Sequence, residues 1–137
     1  MNGDDDLLTI PSRFSVHETM DRLATVASGK GMNIFLRMDH AANAREIGVN
    51  LRPTELIVFG NPKGESPVTL LSRRGGVDLP VKAVAWQDDN GDTWLGYNSA
   101  GWLKRHYGLA DRAGAEATLK AIETDVAVLC RAAAGTD

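Results

Sequence analysis

Cysteine is almost missing from the 137-residue sequence, with Cys130 the sole example. One thiol cannot close an internal disulfide, so a small cross-linked secreted domain is excluded and a cytoplasmic location is expected. Long apolar runs are missing too: nothing approaches the roughly 20 residues that cross a bilayer. The opening Met-Asn-Gly-Asp-Asp-Asp has neither the basic nor the apolar part of a leader peptide. Nor is there an excess of charge of one sign. Fifteen Lys+Arg stand against 18 Asp+Glu, a net charge of −3, and the basic residues are scattered. A nucleic-acid partner is not expected on that balance, and without a long apolar run neither is a membrane. No phosphate-cradling loop, serine-nucleophile elbow, or paired Cys or His spacing occurs, so no metal site and no cofactor is indicated.

What remains is an ordinary globular composition, 43% hydrophobic and 24% charged, without repeats or a linker. A single domain over 7–133 is expected, with frayed ends at 1–6 and 134–137. Residues 7–14 read as an edge strand, because Pro11 cannot donate to a ladder. Ser15-x-x-Glu18 is a capping box. Val16, Met20, Leu23, Ala24 and Ala27 follow it at helical spacing. From Met32 the period drops to two, which predicts a strand with Ile34, Leu36 and Met38 on its buried face. A small helix is predicted over 41–47. The two-sided apolar run Leu56-Ile57-Val58-Phe59 predicts a central strand.

Gly60-Asn61-Pro62-Lys63-Gly64 reads as a turn, and a short helix follows with Ser66 as its cap and Pro67 in its first turn. Asn90-Gly91 predicts a two-residue hairpin turn between strands 81–87 and 93–97. That register puts Trp86 opposite Leu95, and Lys82, Trp86 and Tyr97 on one face. Ser99 caps another short helix. Residues 111–133 form a long amphipathic helix on the stripe Ala115, Leu119, Ile122, Val126, Leu129 and Ala133. The expected fold class is α+β: a two-layer sandwich whose largely antiparallel sheet carries two long helices on one face. The other face then needs a second cover.

Several stretches taken together carry a resemblance. They are Asp39-His40-Ala41, Leu51-Arg52-Pro53-Thr54-Glu55-Leu56, Phe59-Gly60-Asn61-Pro62, Asp78-Leu79-Pro80-Val81-Lys82, the Trp86 strand and Tyr97-Asn98. Over residues 15–107 the chain resembles the bacterial and archaeal family catalogued as domain of unknown function 302. The resemblance implies a β-α-β(4)-α two-layer fold, often met as a homodimer, and no agreed activity or cofactor.

The candidate ligand-binding residues are His40, Asn61, Lys82, Trp86, Tyr97 and Asn98. His40 follows Asp39 and can act in proton transfer or simply start a helix. Asn61 and Lys63 can meet an anion, or serve turn geometry alone. Lys82, Trp86 and Tyr97 together would make an apolar floor with one amine and one phenol; as a plain alternative, the aromatics are core. Cys130 reads as a buried structural thiol. Three functions compete. The first is a non-enzymatic small-ligand-binding or regulatory homodimer taking an acidic or aromatic ligand. The second is an enzyme with His40 as general base beside Asn61, Asn98 or Lys82. The third is a dimerisation module with no other task.

Overall fold

The computed structural model describes residues 7–136, so the expectation for residues 1–6 and Asp137 lies outside the described residues. Five strands and five α-helices follow one another among the described residues: β1 (Leu7–Ser12), α1 (Val16–Gly29), β2 (Asn33–Asp39), α2 (His40–Glu46), β3 (Thr54–Gly60), α3 (Pro62–Leu71), a 3₁₀ turn (Arg73–Asp78), β4 (Val81–Gln87), β5 (Thr93–Asn98), α4 (Ala100–His106) and α5 (Ala115–Ala134). The strands form one sheet in the order β1-β5-β4-β3-β2, with every pairing antiparallel. The α+β two-layer expectation holds, and β1 with its Pro11 lies at an edge.

Local chemistry explains the starts. The Ser15 hydroxyl accepts the Glu18 amide at 3.1 Å and opens α1. Asp39, rather than His40, caps α2 by accepting the Ala42 amide at 2.9 Å. Residues 60–64 are not a free turn. Asn61 accepts the Lys63 amide at 3.0 Å and Pro62 takes the first helical position, so α3 begins there, before Ser66, and runs through Pro67. The long helix α5 starts at Ala115 and ends at Ala134, which is fully buried rather than frayed.

Helices α1 and α5 cover one face of the sheet. Val16, Met20, Leu23 and Ala27 of α1 pack with Val126, Leu129, Cys130 and Ala133 of α5 over Ile57, Phe59, Ala83, Ala85, Leu95 and Tyr97. Burial pushes the Cys130 thiol up to about 12, which keeps it protonated and inert. A second, smaller core joins Val68 of α3, Leu103 of α4, Leu109, Ala115 and Leu119.

Two registers differ from the sequence expectation, and each difference moves side chains across the sheet. In β2 the pairing steps from Ile34↔Phe59 to Leu36↔Val58, so Phe35 is an extra, bulged residue. Beyond the bulge Arg37, paired with Ile57, lies on the helix face. Leu36, 44% exposed, turns away from the core. In the β4–β5 hairpin Trp86 pairs with Trp94, and Ala83 with Tyr97. The loop is longer than two residues because Asp88 organises it. Its Oδ1 accepts the amides of Asn90 (2.9 Å) and Asp92 (3.0 Å), its carbonyl accepts the Gly91 amide, and Gly91 takes φ +88°. The one-residue slip sends Tyr97 to the helix face, away from Lys82 and Trp86.

Trp94 Nε1 donates to Asp88 Oδ2 at 2.9 Å. That bond, followed by the Asp92 amide, holds the Asp88 carboxyl below its ordinary 3.8. The stabilisation is therefore present above pH 3.8 and is lost as pH falls through the lower, folded-state value. A tryptophan emission change is expected in that acid range, and Asp88→Asn should abolish it. An unchanged titration in the variant would show that the indole does not sense this carboxylate.

Candidate functional site

The sheet sorts the six sequence-derived candidates to its two ends. Asn61 follows the end of β3, Lys82 lies at the start of β4, and Tyr97 and Asn98 close β5. His40 and Trp86 lie at the opposite end, beside Thr54. Six residue steps of β3 separate Thr54 from Gly60, so His40 and Asn61 are about 20 Å apart at roughly 3.4 Å per residue. That separation removes the arrangement in which His40 acts as a base beside Asn61, Asn98 or Lys82, since proton transfer needs contact or a single water.

At the Lys82 end, Asp78, Lys82, Tyr97, Asn98 and Glu123 border a cavity of about 20 Å³, enough for about one water and no metabolite. The Lys82 amine donates to the Pro80 carbonyl at 3.2 Å. Tyr97 is 5% exposed, and burial raises its phenol above the ordinary 10.0. Next to this cavity is another of about 60 Å³, lined by Asn61, Gly64, Glu65 and Asp125. Glu65 is buried against Gly60, accepts the Val81 amide at 3.2 Å, and has its carboxyl raised from 4.5 by burial.

The opposite end is roomier and more polar. Glu55 reaches the helix face from β3 and is 7% exposed. Its Oε2 lies 3.0 Å from His17 Nδ1, and its Oε1 accepts from Arg37 Nη2 at 3.1 Å. Arg37 Nη1 donates to Asp21 Oδ1 at 2.8 Å, and Asp21 Oδ2 lies 3.6 Å from His17 Nε2. The four residues close a ring of alternating charge. Its hydrogen bond to Glu55, then the charges of Glu55 and Asp21, raise His17 above 6.5. The bond from Arg37 lowers Asp21 below 3.8. The bulge at Phe35 makes this ring possible, because it alone puts Arg37 on the α1 side.

An open hollow of about 320 Å³ adjoins the ring. Ser15, His17 and Arg45 offer donors there, Asp39 and Glu55 offer acceptors, and Leu51 forms part of the wall. His40 itself does not line it, although its neighbours Asp39 and Ala41 do. Leu51 and Gln87 also border a shallower basin of about 690 Å³ on the other side of the sheet, where Leu7, Arg52, Thr54, Val84 and Trp86 meet. Arg52 Nη1 donates to Gln87 Oε1 at 2.9 Å between the two openings. Trp86 reaches across Gly96: a Cβ there would lie 3.2 Å from the indole and 3.3 Å from Leu7. The two openings together offer an apolar shelf leading to a polar end, a form that holds small ligands by shape and a few hydrogen bonds. Among the described residues no group of three or more His, Cys, Asp or Glu can hold a metal ion.

Sequence reading missed Glu55, Arg37 and Asp21 as a unit. The available signals were a carboxylate one residue before the Leu56–Phe59 run and His17 with Asp21 at i,i+4 on α1. Arg37 gave no signal, because strict alternation placed it on the wrong face.

Comparison with known proteins adds three findings. Residues 8–128 match the family described as Domain of unknown function DUF302. The crystal structure of the uncharacterized conserved protein DUF302 from Bacillus stearothermophilus superposes with a TM-score of 0.79 over 93% of this chain and 97% of that one, at 20% identity. The "Fluoride-specific ion channel FluC 1" of Brucella suis biovar 1 is 42% identical over 132 residues, which are 96% of this chain and 51% of that protein. For the "Fluoride-specific ion channel FluC 2" of Brucella melitensis biotype 1 the identity is 42% and the shares are 96% and 48%. The chain thus spans about half the length of these curated relatives. No helix among its described residues is long and apolar enough to cross a membrane.

Proposed function

The chain belongs to the DUF302 family, a membership that carries a fold and no activity, and from that premise we propose a non-enzymatic, homodimeric module that binds a small ligand and regulates a partner. The observation carrying this reading is the sheet face that no helix among the described residues covers. Alternation puts Leu7, Leu36, Met38, Leu56, Val58, Val84, Trp86 and Trp94 on that face, with Lys82 at one end. A contiguous apolar sheet face of this kind is a surface for a partner, and a second copy supplies a matching one. Packed face to face, two copies would roof the Trp86 basin and leave the Glu55 hollow as its polar entrance. Trp86 suits an aromatic group, while Arg45, Arg52 and His17 suit an acidic one. Lys82, Asn98, Asn61, Tyr97 and His40 take lesser parts in this reading, because the cavities beside the first four hold little more than water.

The relatives suggest what is regulated. A channel must cross the bilayer, and the described residues of this chain, which spans about half of each relative, contribute no helix able to do so. On this reading the domain is an accessory unit to a membrane-spanning part carried elsewhere. For this chain the corresponding role is ligand-dependent control of a membrane protein.

The face is tested by Leu56→Asp, which puts a carboxylate at its centre and leaves the helix-side core untouched. Light scattering on the eluting protein should give twice the 14.7 kDa chain mass for the parent and the single mass for the variant, with unchanged far-UV dichroism. A parent that runs as a monomer at micromolar concentration would end the dimer reading. A thermal-shift screen of small acids and aromatics should find a compound that raises the parent's melting temperature and does so less in Trp86→Ala.

A further inference from the structure

A different surface carries an inference that goes beyond the dimer and does not depend on it. Lys63, Leu70, Arg73, Arg74 and Val77, on α3 and the 3₁₀ turn after it, all point to solvent. Leu70 is 82% exposed and Val77 78%, unusual values for large aliphatic side chains in a folded domain. The opposite side of the same segment is anchored, since Val68 and Leu71 pack with Leu103, Leu109 and Leu119. The two acids of the segment are turned inward or occupied: Glu65 is buried on the Val81 amide, and Asp78 accepts the Tyr107 hydroxyl. Within residues 62–78 three cations and two bare aliphatics are therefore exposed while neither acid of the segment is, on a chain of net charge −3; an exposed carboxylate, Asp125 of α5, lines the cavity beside Asn61 and Gly64.

We infer that this stripe rests on an anionic lipid surface, with Leu70 and Val77 entering the headgroup–acyl boundary and Lys63, Arg73 and Arg74 meeting lipid phosphates. Charge complementarity selects that occupant: the cations gather where the aliphatics are, whereas the chain as a whole is repelled by anions. Lying on a bilayer differs from crossing one, so the shortness of the helices is no obstacle. The α3 helix packs on α5, on the helix side of the sheet, so the stripe stays free when the uncovered face is occupied.

Co-sedimentation of the full chain with vesicles tests the inference. Binding is expected to phosphatidylcholine vesicles containing phosphatidylglycerol, falling with added salt, and not to phosphatidylcholine alone. Replacing both arginines (Arg73→Ser with Arg74→Ser) should weaken binding about twenty-fivefold, at roughly fivefold per cation. Leu70→Ser with Val77→Ser should weaken it severalfold while dichroism and oligomeric mass stay as in the parent. No binding to anionic vesicles, or binding that survives both pairs of substitutions, would overturn the inference. So would retention on immobilised polyglutamate that needs the arginines but not Leu70 and Val77, because that pattern belongs to an acidic protein partner.

Discussion

Arg37→Leu is expected to lower stability by about 2–3 kcal/mol, the largest effect of any surface-reaching substitution in this chain. The reason is what it leaves behind. Glu55 is 7% exposed, and without Arg37 its Oε1 loses a 3.1 Å bond while His17, a largely exposed group, remains its one ion-pair partner among the described residues. A buried charge stripped of its main partner costs more than the pair contributes when intact. For a domain of this length the melting temperature should fall by roughly 10 °C. Arg37→Leu combined with Glu55→Leu should recover much of the loss, because an apolar pair replaces the uncompensated charge. That double variant also separates structure from function. Its fold persists, but the hollow loses its buried acceptor, so any ligand found by thermal shift should no longer stabilise it. Retained ligand response would remove Glu55 from the site.

The same ring gives a pH dependence with a definite sign. His17 is raised above 6.5 in the folded chain, so its contribution is complete below that pH and disappears as pH rises through the folded value. Asp21 is lowered, so its contribution is present above 3.8 and disappears as pH falls through the lower value. Both groups are largely exposed, and solvent keeps the two effects small. His17→Ala should flatten the neutral limb of the stability–pH curve. A curve unchanged there would mean that the His17–Glu55 contact does not form in solution.

Gly60→Ala is the second large effect, at about 2 kcal/mol. The added Cβ would lie 2.2 Å from Glu65 Oε2 and 2.7 Å from its Cδ, so the carboxyl must leave its place. Leaving exposes the Val81 amide as a buried donor without its acceptor. Glu65→Ala in the Gly60→Ala background should cost little more, since the contact is already broken; additive losses would show that the two residues act independently. Glu65→Gln keeps an acceptor for Val81 and removes the buried charge. Because burial raises the Glu65 carboxyl from 4.5, its cost appears as pH rises through the folded value. The glutamine variant should therefore be the more stable at neutral pH and lose that advantage below pH 4.5.

Much of this architecture was legible in the residues. The Ser15 capping box, the apolar stripes of α1 and α5, and Pro11 at an edge each rest on local rules, and the fold follows those rules there. The uncovered face was legible as well, because Leu56 to Phe59 is apolar on both sides while the long helices can shield only one. What failed was register. Strict alternation in β2 cannot anticipate an extra residue at Phe35, and the preference of Asn90-Gly91 for a tight turn was outweighed by the three backbone groups that Asp88 engages. Each slip of one residue carried a candidate to the wrong side: Tyr97 was grouped with Lys82 and Trp86, and Arg37 was left out of the ring. Asn61-Pro62 has the composition of a turn, although the same two residues also start a helix. Glu55 escapes notice because the ring it belongs to draws on three separate elements, α1, β2 and its own β3, and only tertiary structure brings them together.

The bulge at Phe35 has a further consequence for assembly. A straight, regular border strand invites another chain to add on, and each addition presents a fresh border, so growth has no natural end. The Phe35 kink spoils β2 as such a template, and Pro11 withholds a donor along β1 on the far side. Sideways polymerisation is discouraged at both margins, whereas the back-to-back union proposed above would use up its own contact area and stop at two.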